Sequence, residues 1–134
     1  MPAQTLTRAA KRLAVTATAV AATLGFCTTA ADATVYSSCT MSRCADARSA
    51  DSTWDSLGYP GSRGWYDWPD GDCNYAGGTY SNREGELPAG HPYQEFDVYP
   101  RACGASRDAY RIVVDMSTGA VWFSPNHYTD FYRL

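Results

Sequence analysis

Hydrophobic and polar residues alternate along two stretches in the second half of the chain, a pattern typical of half-buried β-strands. These stretches are YQEFDVY at 93–99 and YRIVVDM at 110–116. Shorter apolar segments at 120–123 and 130–134 predict two further strands, separated by a break at Pro125. Because short turns connect these segments, the pattern predicts an antiparallel sheet.

A helix is predicted at 43–57, where small and apolar residues recur at helical spacing before Gly58 and Pro60. The following segment, 62–79, is rich in Gly and Asp and predicts a loop. The fold class is therefore α+β, with an N-terminal helix packed on a small twisted antiparallel sheet. The predicted loop carries four large aromatic side chains, for which core packing is favoured over a binding surface: Trp65, Tyr66, Trp68 and Tyr75.

The N-terminal segment has the pattern of a secretory signal peptide. Basic residues come first, the uncharged segment 13–27 follows, and Ala31-Asp32-Ala33 is a small-x-small cleavage motif. The uncharged segment is too short and too rich in Thr to favour a membrane span. Cleavage after Ala33 would remove residues 1–33 and leave 34–134 as a single secreted, extracellular domain.

The charge excludes a general polyanion-binding surface. The whole chain has 11 basic and 14 acidic residues, with a net charge of −3. The predicted signal peptide contains three of the basic residues and one of the acidic residues, so its removal takes the net charge to about −5. No lysine remains after residue 33. Any contact with nucleic acid must therefore come from a local cluster of arginines.

Four cysteines follow the predicted signal peptide, and an even number in a small secreted chain indicates two disulfides. Three pairings are possible, of which Cys39–Cys44 and Cys73–Cys103 are favoured. The alternative is a zinc site, which is disfavoured because there is no CxxC pair and the two histidines are not at ligand spacing. No metal or other cofactor is expected.

Three polar residues are candidates for an acid–base site. Alternation places Glu95 and Arg111 on the non-core face of neighbouring strands, and His127 lies in the turn before the last strand. A carboxylate, a guanidinium and an imidazole that converge there have the groups needed for general acid–base catalysis. A cross-strand Glu–Arg pair is also a common surface ion pair, so spacing alone leaves both interpretations open.

Four motifs between Thr79 and the C terminus carry a family resemblance when taken in order. They are YSNREGELP at 80–88, YQEFDVYP at 93–100, SRDAYRIVV at 106–114 and HYTDF at 127–131. Together they resemble the microbial guanyl-specific ribonucleases, the barnase-like family of small secreted endoribonucleases. The N-terminal helix fits that family in position, although its sequence is not diagnostic.

The resemblance implies catalytic roles for four residues. Glu95 stands at the position of the general base, His127 at that of the general acid, and Arg111 and Arg107 at phosphate-binding arginines. RNA supplies its own nucleophile, the 2′-hydroxyl, so a carboxylate and an imidazolium can move the protons while arginines stabilise the charged transition state. We therefore expect cleavage of single-stranded RNA through a 2′,3′-cyclic phosphate, later hydrolysed to a 3′-phosphate. DNA lacks the 2′-hydroxyl and is not expected to react.

The resemblance also implies that the NREGELP segment binds guanine. Glu84 matches the side chain that accepts from the base, and Asn82 and Arg83 match residues whose backbone N–H groups meet it. Tyr80 or Tyr128 would stack on the guanine ring. A site built to pair these groups rejects adenine, because its own polar groups would be left unsatisfied.

The resemblance implies a barstar-like cytosolic inhibitor that protects the producing cell. A monomer is the default expectation for the oligomeric state. The alternative is a non-catalytic, disulfide-stapled binding module that uses the aromatic segment 65–75 for a glycan or a protein. The presence of all three chemical groups, at Glu95, Arg111 and His127, favours the ribonuclease.

Overall fold

One helix and seven strands form the fold in the computed structural model, which describes residues 33–134. The predicted signal peptide, apart from Ala33, lies outside the described residues. Within the described range, no helix is long and apolar enough to cross a membrane. The elements are β1 (Thr34–Tyr36), α1 (Arg43–Ser56), β2 (Gly64–Asp67), β3 (Cys73–Tyr80), β4 (Tyr93–Asp97), β5 (Arg111–Asp115), β6 (Val121–Ser124) and β7 (Asp130–Arg133).

All seven strands belong to one sheet with the order β1-β7-β6-β5-β4-β3-β2. Strands β2 to β7 pair antiparallel with their neighbours, whereas β1 runs parallel to β7. The predicted α+β class is confirmed. The sheet is larger than the small one predicted, and purely antiparallel pairing is wrong at β1. Because β1 and β7 lie at opposite ends of the domain sequence, no local pattern reveals that they pair.

A β-hairpin replaces the loop predicted at 62–79, so that prediction is wrong. Strands β2 and β3 pair from Gly64↔Ala76 to Asp67↔Cys73, and β3 pairs on its other side with β4. Glycines lower the strand propensity of this segment, but hydrogen bonds on both sides of β3 outweigh that tendency. The β3–β4 register shifts between Ala76 and Gly78, which marks a bulge beside the candidate site.

The helix packs on one face of the sheet and forms the main core. Trp54 is fully buried, and its indole Nε1 donates a hydrogen bond to the backbone oxygen of Asp97 at 2.9 Å. The other buried helix residues are Cys44, Ala47 and Ala50. Leu57, the last residue of the predicted helix, is the C-cap residue and is 41% exposed.

A second hydrophobic cluster covers part of the opposite face of the sheet. Its buried members are Leu87, Tyr93, Val113, Trp122 and Phe131. The face predicted to be the non-core face therefore carries an apolar cluster of its own, and every residue of β5 is buried. Polar side chains on this face lie beside an apolar cluster, where electrostatic interactions are stronger than in open solvent.

The four cysteines pair as predicted, Cys39 with Cys44 and Cys73 with Cys103. Disulfide bonding makes the zinc-site alternative wrong for these residues. The second disulfide ties the start of β3 to the loop after β4. There the backbones of Cys73 and Arg101 exchange two hydrogen bonds of 2.8 Å each. These contacts fix one end of the loop that leads to the predicted phosphate-binding arginines.

Asp115, at the end of β5, holds the following turn and the loop before β4. Its carboxylate accepts hydrogen bonds from Ser117 N at 2.9 Å and Ser117 Oγ at 2.7 Å, and pairs with His91 Nδ1 at 2.6 Å. Burial acts to raise the pKa of Asp115, but the hydrogen bonds from Ser117, Thr118 and His91 hold it well below its usual range. Asp115 is therefore ionised in the folded protein and strongly bound by its neighbours.

Replacement of Asp115 by Asn should lower the free energy of unfolding by about 2 kcal/mol at pH 7, because a charged acceptor of several hydrogen bonds is lost. The wild-type advantage is fully present above the ordinary Asp pKa of 3.8. It shrinks as the pH falls below that value towards the lower folded-state pKa, since the unfolded chain then binds the proton first. Urea unfolding at pH 7 and pH 3 measures both effects. The exposed helix residue Asp55, changed to Asn, is the control, and an equal deficit of Asp115→Asn at both pH values would contradict the assignment.

Candidate active site

A buried carboxylate holds two arginines at the end of β4. Asp97 is fully buried and accepts hydrogen bonds from Arg107 Nε at 2.8 Å and Arg107 Nη2 at 2.6 Å. Arg111 lies directly opposite Asp97 in the β4–β5 register, with its Nε 3.2 Å from Asp97 Oδ1. The two arginines predicted to bind phosphate therefore meet on one carboxylate. The hydrogen bonds that Arg107 donates to Asp97 also raise the pKa of Arg107.

Arg111 is the more deeply buried of the two arginines, with 3% of its surface exposed. Its Nη1 donates to the backbone oxygen of Tyr110 at 2.9 Å and lies 3.5 Å from Asp108 Oδ1. Its Nε faces Asp97 without the alignment of a hydrogen bond and has no hydrogen-bond partner among the described residues. A buried guanidinium that is incompletely satisfied favours an anion bound against it.

Glu95 lies two residues before Asp97 on the same face of β4 and is half-buried. The register places it opposite Gly78 on β3 and Val113 on β5. The position of its carboxylate requires glycine at residue 77, because a Cβ atom there would overlap the Glu95 side chain. Sequence analysis missed this glycine. The available signal was a Gly-Gly pair flanked by strand-forming residues, since glycine within a strand often marks a site where another group comes close to the backbone.

His127 and Tyr128 lie in the loop between β6 and β7 with left-handed backbone angles, φ 53° and φ 70°. Such angles are unfavourable for residues with a Cβ atom, so the surroundings must hold them. The backbone N–H of His127 donates to the oxygen of Ala109 at 2.9 Å, and that of Tyr128 donates to Ser124 Oγ at 2.8 Å. This conformation leaves the His127 side chain exposed to a ligand.

Tyr128 connects the loop of His127 to Glu95. Its ring centroid is 4.9 Å from that of His127 and 5.0 Å from that of Tyr80. Burial raises the pKa of Tyr128, and the nearby negative charge of Glu95 raises it further. The phenol therefore remains protonated at physiological pH and can act as a hydrogen-bond donor.

The predicted guanine loop is closed by the side chain of Asn82. Its Nδ2 donates to the backbone oxygen of Leu87 at 2.9 Å, and its Oδ1 accepts from Leu87 N at 3.1 Å. Asn82 has a φ of 48°, a conformation that Asn tolerates better than most residues. The backbone N–H groups of Arg83 and Glu84 have no acceptor among residues 33–134, so they are free to donate to a ligand.

A cleft of about 300 Å³ lies between the guanine loop and the loop of His127. Its lining includes four predicted site residues and one carboxylate that sequence analysis did not identify, Glu86. One Glu86 oxygen is buried and has no hydrogen-bond partner within the described part of the chain. Burial and the charges of Glu86 and Glu84 raise the pKa of Tyr80. The lining residues are Ala33, Tyr80, Glu84, Glu86, His127, Tyr128 and Thr129.

The structure thus brings the predicted residues into two adjoining regions. Arg107 and Arg111 pair with Asp97, which lies two residues along β4 from Glu95, while Tyr80, Glu84, His127 and Tyr128 line the cleft. Another depression of about 200 Å³, between α1 and the chain after β4, contains none of them. Within residues 33–134 no group of three or more His, Cys, Asp or Glu side chains is arranged to hold a metal ion.

The arrangement can be compared with known proteins. A comparison with curated proteins gives no significant match. A family model described as ribonuclease matches residues 27–134, which includes the helix, all seven strands and both regions of the candidate site. The matched segment is most of the 134-residue chain. The chain therefore belongs to the ribonuclease family, and an RNA-cleaving function follows from that membership.

Proposed function

We propose that the protein is an endoribonuclease that cleaves single-stranded RNA on the 3′ side of guanosine. The observation that supports this most is the position of Glu95. It lies two residues from Asp97, which holds Arg107 and Arg111, and its charge acts on Tyr128 in the wall of the cleft. A carboxylate and two guanidinium groups near the cleft that the exposed imidazole of His127 lines support these roles.

The reaction begins with proton transfer from the RNA 2′-hydroxyl to the Glu95 carboxylate. The 2′-oxygen attacks phosphorus, the bond to the 5′-oxygen breaks, and the imidazolium of His127 protonates that leaving oxygen. Arg111 and Arg107 bind the free phosphate oxygens and stabilise the charge that they gain in the transition state. Water later opens the 2′,3′-cyclic phosphate to a 3′-phosphate, with the acid and base roles exchanged.

Guanine is recognised at the loop closed by Asn82. The Glu84 carboxylate accepts from guanine N1–H and N2–H, and the unpaired backbone N–H groups beside it donate to O6. Adenine has no hydrogen at N1 and carries an amino group at position 6, so it leaves both sets of protein groups unsatisfied. Tyr80 and Tyr128 supply the aromatic surface for the base.

Export and protection belong to the same proposal. Removal of residues 1–33 would release 34–134 into an oxidising compartment, which is where the two disulfides persist. The released domain acts as a monomer. A barstar-like inhibitor in the cytosol would protect the cell by covering the arginines before export.

Cleavage of the dinucleotides GpC and ApC in EDTA tests the activity. We expect the oxidised protein to cleave GpC through a cyclic phosphate at least about 100-fold faster than ApC, because the guanine groups pair only with GpC. Glu95→Gln should lower kcat/KM for GpC by about 10²- to 10⁴-fold, since the general base is lost. Asp55→Asn, on the exposed side of the helix, should match the wild type. Intact GpC after incubation with correctly oxidised wild-type protein would refute the proposal.

The ratio of kcat/KM for GpC and ApC tests the guanine site. Glu84→Gln should reduce this ratio by about 10- to 100-fold, because the amide cannot accept both guanine donors. Glu86→Gln makes the same chemical change at the other carboxylate of the cleft. If Glu86→Gln abolishes the preference and Glu84→Gln retains it, the assignment of Glu84 is wrong and the role belongs to Glu86.

A methyl group at Gly77 should disable the enzyme without removing a functional group. Gly77→Ala is expected to displace the Glu95 carboxylate and lower kcat/KM by about 10²-fold, because catalysis depends on its placement. Gly61→Ala is the matched control, since its methyl group meets the flexible end of Gln94 at 3.2 Å. Thermal melting should show that the destabilisation caused by Gly77→Ala is smaller when Glu95 is also changed to Ala. Equal activity of Gly77→Ala and Gly61→Ala would contradict this role.

A further inference from the structure

The aromatic side chains of the β2–β3 hairpin divide between its two faces. Tyr66 and Trp68 pack against the main core, with their rings 6.1 Å and 4.9 Å from that of Trp54. Core packing is therefore confirmed for these two residues. Trp65 and Tyr75 belong to neither hydrophobic cluster. They are cross-strand partners on the other face, with ring centroids 5.2 Å apart, and both are half-buried.

Tyr75 joins this aromatic pair to the candidate active site. The guanidinium carbon of Arg107 lies 3.8 Å from the centre of the Tyr75 ring. Two residues further along β3, Gly77 provides the space that the Glu95 carboxylate occupies. Trp65 on β2 is the register partner of Tyr75 on β3, and because Ala76 lies opposite Phe96 and Gly78 opposite Glu95, Tyr75 lies at the Asp97 end of β4. The face that carries the catalytic groups continues onto the hairpin.

Arg63, just before β2, adds a positive charge to this surface. Its Nε donates to the Tyr75 hydroxyl at 3.0 Å, and that hydrogen bond raises the pKa of Arg63, with a smaller contribution from Glu95. Arg107 and Arg111 pair with Asp97, whereas Arg63 forms no ion pair with a carboxylate among residues 33–134. Its charge is exposed and available to an anionic ligand.

We propose that Arg63, Trp65 and Tyr75, named here the hairpin surface, form a subsite for RNA nucleotides on the 3′ side of the scissile phosphate. Trp65 stacks on a base, Tyr75 supports its ring and orients Arg63, and Arg63 binds a phosphate of the same strand. The inference rests on the ribonuclease function proposed above. The hairpin surface is continuous with that site and carries the charge that a phosphate requires.

The strand direction indicates which part of the RNA lies on the hairpin surface. Along β3, Tyr75 comes before Gly77, whereas Tyr80 and the guanine loop come after it. The guanine loop and the hairpin surface therefore lie on opposite sides of Glu95. RNA that has its guanine in the loop and its scissile phosphate beside Glu95 continues with its 3′ nucleotides towards Trp65.

The side chains of the hairpin surface predict that the subsite accepts any of the four bases. Every base presents a π-face, so stacking on an aromatic side chain does not require a particular base. A single exposed arginine contributes through the phosphate, and its contribution weakens as salt increases. The subsite would therefore increase the rate on longer RNA without adding a second base preference.

A series of substrates extended on the 3′ side tests the role of Trp65. The substrates are the methyl ester of guanosine 3′-phosphate, GpC and GpCpC, and kcat/KM should rise along this series for the wild type. Trp65→Ala should make the rise in kcat/KM about ten-fold smaller, because the stacking contact with the base is lost. It should leave cleavage of the methyl ester unchanged, and Trp65→Phe should restore much of the rise. Tyr36→Ala is the control, since Tyr36 stacks on Tyr132 at 4.4 Å at the opposite edge of the sheet.

The outcomes separate the two proposals. Wild-type protein that cleaves none of the three substrates overturns the ribonuclease function itself. If 3′ extension raises kcat/KM equally for the wild type and for Trp65→Ala, the subsite is refuted and the ribonuclease function is not. The subsite is also refuted if extension on the 5′ side raises kcat/KM and Trp65→Ala abolishes that rise. The hairpin surface would then bind the nucleotides on the 5′ side of the scissile phosphate.

The salt dependence of GpCpC cleavage tests the phosphate contact of Arg63. Arg63→Gln should reduce the slope of log kcat/KM against log salt by about 0.7, the value for one phosphate contact on single-stranded nucleic acid. Arg43→Gln is the matched control, because Arg43 is also an exposed arginine and donates to a tyrosine hydroxyl, that of Tyr99, at 2.8 Å. A slope unchanged in Arg63→Gln, or reduced equally in both variants, would refute the contact.

Discussion

The ion pairs between buried Asp97 and two arginines fix the geometry on which the candidate site depends. A buried carboxylate is unfavourable unless it is paired and hydrogen-bonded, and Arg107 and Arg111 meet that requirement. The backbone oxygen of Asp97 accepts from the Trp54 indole at 2.9 Å and from Asn74 Nδ2 at 3.2 Å. One residue therefore connects the helix, the β3 strand and the two arginines proposed to bind phosphate. Loss of its carboxylate would leave Arg111 buried without a full counter-charge.

The sharing of one carboxylate by two guanidinium groups also determines the charge of the site. The three groups together carry a net positive charge and are held in place before any ligand binds. Such preorganised charge stabilises a phosphate transition state without reorganisation during the reaction. The chain as a whole is acidic, with a formal net charge of −3, so attraction for an anionic ligand depends on local groups of arginines such as this one. Local placement of charge, and not the total, suits the protein to a polyanionic substrate.

Backbone strain is concentrated in the two loops that border the cleft. Asn82, His127 and Tyr128 all have positive φ angles, which residues with side chains rarely adopt. Each loop is held by side-chain hydrogen bonds, from Asn82 in the guanine loop and to Ser124 in the loop of His127. Glu84 of the first loop and His127 of the second line the same cleft. Regular secondary structure would direct the backbone N–H groups of these loops into its own hydrogen bonds.

The sequence could predict residues whose side chains carry a recognisable functional group. It could not predict residues whose importance depends on how the strands pair. The roles proposed for Glu95, Arg111 and His127 depend on functional groups that can be recognised by type, and short ordered motifs mark their positions. Gly77 acts through the absence of a side chain, and its importance emerges only when the β3–β4 pairing places it against Glu95. The role of Asp97 likewise depends on a register that sets Arg111 opposite it. Sequence motifs therefore identify the reacting groups, whereas strand pairing determines which residues position them, and a search for further functional residues in this fold should begin with the neighbours across the sheet.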